Sequence, residues 1–167
     1  TDDIYNLGLI LLIPFKSSFS SQFSTEMTAA ATEKSDCIFC NIANKLETTR
    51  ILYEDEEVCV FYDIKPASKF HILTIPKKHI DDAKSLTPED KELVQHMLAV
   101  AQEMVQKNNL TLEDARFGYH WPPFRSVKHL HLHTIAPETD MGLISRMVFK
   151  RNSYWFVSVR RCFSSFR

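Results

Sequence analysis

Residues 129–135 read His-Leu-His-Leu-His-Thr-Ile, and no other stretch restricts the fold of this chain as much. Successive side chains of a β-strand point to opposite faces. The strand predicted here therefore turns three histidines to one side, about 7 Å apart from one to the next, and its leucines toward a core on the other. One histidine in such a place is usually a satisfied packing residue. Three on one face of a core-like strand have no packing explanation and point to chemistry. Two chemistries use such a row. Histidines spaced H-x-H with a third nearby can bind zinc. Alternatively, a neutral imidazole can attack phosphorus as a nucleophile, provided its second ring nitrogen donates to a fixed acceptor.

Composition narrows the setting. The chain has 167 residues, of which 44% are hydrophobic and 25% charged, and a formal charge of −1. That suits one soluble globular domain with a real core. It gives no global attraction to nucleic acid or to an anionic membrane, and neither is expected as a partner. The three glycines, Gly8, Gly118 and Gly142, cannot build a glycine-rich dinucleotide or Walker loop. Four cysteines, Cys37, Cys40, Cys59 and Cys162, are too few for a disulfide scaffold. Cys59, in Val-Cys-Val-Phe, reads as a small buried residue, and Cys162 falls in the tail.

The chain divides into three parts. Residues 1–35 read as an upstream or disordered segment, with Met27 a plausible start. The run Leu7 to Ile13, closed by Pro14, is too short to span a bilayer, and Asp2 and Asp3 stand where a signal peptide carries positive charge. A cleaved targeting role for residues 1–26 is the alternative, and the compartment expected for the folded part is the cytoplasm, extending to the nucleus. Residues 36–158 form the folded domain. Residues 159–167 read as a basic tail, since Met141 to Arg167 holds six Lys and Arg and no acid, the pattern of a solvated face or of a surface for an anionic partner.

Within the domain, Ile51–Tyr53 and Val58–Tyr62 are β-prone runs around Glu54–Glu57 and read as a hairpin. Phe70 to Ile75 is a strand stopped by Pro76, and Arg116 to Trp121 and His129 to Ile135 are two more. Thr87-Pro88-Glu89-Asp90 opens a helix, and Leu93, Met97, Ala101 and Met104 carry its apolar face to about Asn108. A shorter helix is predicted over Cys40 to Lys45. The class is α+β: an antiparallel sheet of about five strands with one long and one short helix.

Several motifs around the histidines resemble the histidine triad family, whose signature is His-φ-His-φ-His-φ-φ with φ apolar. Thr134 is a mild departure. The resemblance spans about Asp36 to Ser158 and includes Cys37-Ile38-Phe39-Cys40, Phe61-Tyr62-Asp63-Ile64-Lys65-Pro66, His71 to His79, and Ser126 three residues before the triad. It implies a HIT-like fold and hydrolysis of nucleoside phosphoramidates, typically adenosine 5′-monophosphoramidates, with no organic cofactor. It makes His131 the nucleophile, His133 a phosphate contact, Ser126 a donor to phosphate or leaving group, and His71 part of a proton relay. Asp63 and Ile64 would line the nucleoside pocket beside Leu132, with Asp63 accepting from ribose hydroxyls; a turn role for Asp63 is the plain alternative. In some relatives one structural zinc is held at the positions of Cys37, Cys40, His79 and His129. The alternative is a pair of reduced cysteines packing a helix start. A homodimer formed by extending the sheet across two subunits is a further expectation. Other branches of the family often have Gln where this chain has Arg125, a side chain that could reach phosphate or, as the plain alternative, form a surface salt bridge. His96 reads as inert within the long helix, and His120 as close enough to line the site.

Three functional classes follow: a hydrolase with a covalent nucleotidyl-histidine, a nucleotide-binding adaptor with little turnover, and a hydrolase whose triad itself holds a catalytic zinc. The cysteine-containing set gives zinc another home and weighs against the third.

Overall fold

A computed structural model describes residues 34–164. The expectations for residues 1–33 and 165–167 lie outside the described residues. Alternating apolar runs build a six-stranded antiparallel sheet in the order β1-β2-β3-β5-β4-β6. The strands are β1 (Ile51–Glu54), β2 (Val58–Tyr62), β3 (Phe70–Pro76), β4 (Arg116–His120), β5 (Leu132–Ala136) and β6 (Phe156–Ser158). The helices are α1 (Ile38–Ala43), α2 (Lys91–Lys107), α3 (Leu143–Val148) and α4 (Val159–Ser164).

Period-2 alternation sorts most apolar side chains of these strands into two cores, and a smaller third cluster gathers Ile135 and Phe156 with Ala67, Met141 and Phe149. Val58, Val60, Phe70, Ile72, Leu130, Leu132 and Tyr119 face α2, packing against its Val94, Met97, Ala101 and Met104. Cys59, Phe61, Leu73 and Ile75 face the other way, onto Phe39 and Ile42 of α1. Both faces of the central strands are covered, which is why their sequences read as near-continuous apolar runs. The start of α2 follows the sequence signals. Pro88 opens a 3₁₀ turn, and the amide and hydroxyl of Thr87 both donate to Asp90 Oδ2 at 3.0 Å. His96 lies away from the site histidines and has a structural contact: its Nε2 lies 2.7 Å from Asp55 Oδ2, tying α2 to the β1–β2 turn.

Four expectations are corrected. First, β5 begins at Leu132, not His129. Pairing with β3 stops at Thr74↔Leu132 because the next β3 position facing β5 is Pro76, which has no amide to donate; its carbonyl accepts from His129 Nε2 at 2.9 Å instead. The alternation outlives the ladder, with Leu130 still on the α2 side. Second, the short helix starts earlier, at Ile38, because Cys37 caps it. Third, residues 159–164 are α4 rather than tail, and Val159 and Cys162 are buried in the α2 core. Fourth, there is a sixth strand. The three residues of β6 cover the outer edge of β4, leaving β1 and β6 at the edges of the sheet. Gly118 permits this closeness: a Cβ there would stand 2.6 Å from the Phe156 ring and 2.6 Å from the Val157 carbonyl.

Candidate functional site

The face of the sheet opposite α2 carries His71 on β3, His133 on β5 and His120 on β4, with His131 just ahead of β5. Backbone register brings them together, since Leu73 and Gly118 both pair with His133. The ring centroids of His131 and His120 each lie 4.9 Å from that of His133.

Hydrogen bonds assign the ring protons. The Ala67 amide donates to His71 Nδ1 at 3.0 Å, so the His71 proton sits on Nε2. That nitrogen lies 3.0 Å from His133 Nδ1 and donates to it, with Asp63 Oδ2 also near at 3.4 Å. His133 therefore carries its own proton on Nε2, a buried atom with no partner. An unspent donor at this depth is costly unless something arrives to accept it. His131 is set the other way. Its Nδ1–H donates to the His129 carbonyl at 2.6 Å, which leaves Nε2 with a free lone pair.

Burial keeps these rings neutral. It pushes His71 down to about 4, against the opposing pull of the Asp63 carboxylate. It lowers His131, against the His129 carbonyl, and drives His133 well below the usual range, with its histidine neighbours adding to the effect. A neutral ring with a lone pair is the form that can act as a nucleophile.

His131 and His133 form the polar end of a cavity of about 580 Å³, a volume suited to a small organic ligand. Ile38, Phe39, Ile42, Phe61 and Leu73 line its apolar part; Asp63, Ile64 and Ser126 also stand in the wall, as do Glu47, Thr48 and Thr49. Asp63 serves its turn as well, for its Oδ1 accepts the Lys65 amide at 2.7 Å. Leu132 departs from expectation: its side chain is fully buried on the α2 face and does not line the cavity.

A second group forms between α1 and the end of β3. The ligand atoms of Cys37, Cys40, His79 and His129 lie within 4.8 Å of one another. Cys40 Sγ is 3.1 Å from His79 Nδ1 and 3.5 Å from His129 Nδ1, and Cys37 Sγ is 3.4 Å from His129 Nδ1. Usual zinc–sulfur and zinc–nitrogen bond lengths give a tetrahedron with S···N edges of about 3.6 Å. The outer nitrogens are also engaged, His129 Nε2 with the Pro76 carbonyl and His79 Nε2 with Asp81 at 3.1 Å, which turns both Nδ1 lone pairs toward the sulfurs. The set fits Zn²⁺. Asp63, His71 and His133 also cluster, but the His71 proton lies on the nitrogen facing the other two, so that cluster is a hydrogen-bond relay.

Sequence reasoning missed the donor at Ala67, which is backbone and leaves no residue signal. It also missed Phe149 and Phe156, whose rings lie 5.2 Å and 6.1 Å from His133. His120 joins this group, with its Nδ1 3.1 Å from the Trp155 carbonyl.

Residues 36–148 match the family described as scavenger mRNA decapping enzyme C-term binding. Adenosine 5′-monophosphoramidase HINT3 of Xenopus tropicalis is 48% identical over 124 residues, 73% of this chain and 81% of that protein. The Mus musculus protein of the same name is 44% identical over 128 residues, 75% of this chain and 78% of that protein. Among solved structures, a histidine triad protein from Clostridium difficile superposes with a TM-score of 0.58 at 32% identity, covering 62% of this chain and 92% of the other. Sequence and fold agree, and the chain belongs to the histidine triad (HIT) family.

Proposed function

We propose that this protein hydrolyses nucleoside 5′-phosphoramidates of the adenosine monophosphoramidate type through a nucleotidyl intermediate on His131. One observation carries the reading: the His129 carbonyl holds the His131 proton on Nδ1, so the neutral Nε2 keeps its lone pair in the wall of a nucleotide-sized cavity. Relatives named adenosine 5′-monophosphoramidase at 44% and 48% identity support the substrate class.

In the first step, the His131 Nε2 lone pair forms a bond to the α-phosphorus. The P–N bond breaks, and the leaving nitrogen keeps the electron pair and takes a proton from the Ser126 hydroxyl, which solvent replenishes. His133 Nε2–H, held by His71 and so by the Ala67 amide, donates to a phosphate oxygen as charge builds there. In the second step, water attacks phosphorus and gives up a proton to solvent, the bond to His131 breaks, and its electron pair returns to Nε2. Two displacements replace one difficult step. The base packs among Phe39, Ile42 and Phe61 near Ile64, and Asp63 accepts from ribose.

The proposal extends to one structural zinc on Cys37, Cys40, His79 and His129, which would tie α1 to the sheet and take no part in the reaction. It extends also to a homodimer. With β4 covered, β1 and β6 are the edge strands among the described residues, and a second copy would continue the sheet there.

Mass spectrometry of enzyme quenched during turnover of adenosine 5′-phosphoramidate tests the core claim. The expected result is one adenylyl group, mapped to His131. Turnover without that adduct refutes the mechanism, and tight AMP binding with no turnover shows an adaptor instead.

A further inference from the structure

His131 belongs to the walls of two cavities. Besides the large one, it borders a narrow crevice with Asp82, His120, Arg125 and His129. Arg125 and Ser126 are consecutive, and they divide between these spaces, the serine in the large cavity and the arginine in the crevice. The segment that presents a donor to the leaving group thus also brings a cation beside it.

Arg125 is held without being used up. Asp82 is buried and rigid, with Oδ1 accepting from the Lys84 amide at 3.0 Å and from the amide and hydroxyl of Ser85, both at 3.2 Å. Its Oδ2 lies 3.1 Å from Arg125 Nε. The two make an ion pair but no hydrogen bond, because the Nε–H is not aimed at the carboxylate; that nitrogen is buried and unpartnered. The guanidinium makes no other hydrogen bond among the described residues. Arg125 and His131 stand in the wall of the same crevice.

A neutral alkylamine gains nothing from such a neighbour. A leaving amine that carries a carboxylate gains a planar, two-pronged partner whose geometry matches its own. We propose that Arg125 selects the leaving group, and that the preferred substrates are adenosine 5′-phosphoramidates of amino acids, linked through the α-amine with the carboxylate free. This rests on the hydrolase reading above and supplies the amine which that reading leaves open. The bonds are unchanged: the His131–phosphorus bond forms, the P–N bond breaks, and the amino acid departs with the electron pair and a proton.

Two substrates differing in one group test it: the adenosine 5′-phosphoramidates of glycine and of glycinamide. The wild-type protein is expected to favour the glycine compound by about tenfold or more in kcat/KM. Arg125→Gln is expected to bring the ratio of the two close to one, and Arg125→Lys to keep part of it, since lysine retains the charge but not the fork. A thermal melt of each variant establishes that it is folded. Should Arg125→Gln fail to fold, the wild-type ratio and Arg125→Lys still decide. Equal rates on the two compounds in the wild-type protein overturn the inference, as does a preference that survives Arg125→Gln. If Arg125 merely anchors its loop to Asp82, both rates fall together and the ratio stays fixed, which also overturns it. Failure to cleave either compound, with no adenylyl group on His131, instead removes the underlying hydrolase reading.

Discussion

Acid should destabilise this protein well before its carboxylates titrate. His71 is almost fully buried and its folded pKa is pushed to about 4 by that burial, against the opposing Asp63 carboxylate. In the unfolded chain a histidine titrates near 6.5. Between these values the unfolded chain binds a proton that the folded one does not. Stability from this group is therefore complete above about pH 6.5 and is lost as pH falls toward 4. The linkage relation gives a loss of about 2 kcal/mol by pH 5 and about 3 kcal/mol by pH 4 from His71 alone, with a limiting slope of about 1.4 kcal/mol per pH unit. His131 and His133 are lowered for the same reason and add losses of the same sign. Single domains are stable by about 5–15 kcal/mol, so the sum is a large share of the whole. Urea denaturation at pH 8, 7, 6, 5.5 and 5 measures it, with His71→Gln expected to flatten the slope by about one proton. An unfolding free energy that stays level from pH 7 to pH 5 would show that these rings are protonated in the folded protein, and the proton assignments at the site would fall with it.

Three further outcomes follow. Gly118→Ala should cost about 1–3 kcal/mol and lower the melting temperature, because its Cβ would meet both the Phe156 ring and the Val157 carbonyl, and backbone cannot step aside. Gly142→Ala, with nothing within 4 Å, is the matched control and should melt like the parent. His131→Ala should reduce kcat on adenosine 5′-phosphoramidate by on the order of 10³-fold or more while the melting curve is kept; a smaller loss points to another nucleophile. Elemental analysis should find about one zinc per chain, and Cys37→Ser with Cys40→Ser should abolish it and lower the melting temperature. Equal zinc in parent and double variant refutes that assignment.

The face on which the site lies was legible in seven residues. The leucines at 130 and 132 decide it by seeking the core, and the histidines follow even where the ladder has already stopped. Where β5 begins was not legible from residues 129–135, because its first pair is fixed by Pro76, more than fifty residues away. The partners of Cys37 and Cys40 came from likeness to relatives rather than from spacing, since nothing local says that His79 and His129 converge on them. A strand as short as β6 shows no period at all, and α4 looked like a tail because its adjacent Arg160 and Arg161 mask the buried Val159 and Cys162 that flank them. The Asp82–Arg125 pair joins segments whose proximity only the folded sheet creates.

The contact between the Ala67 main-chain amide and His71 has a genetic consequence. Every amino acid except proline supplies the same N–H, so a missense change at codon 67 to a residue small enough for that buried place leaves the histidine relay its first link. The orientation of that relay is thus shielded from point mutation at its origin, whereas its later members, being side chains, can each be lost in a single step.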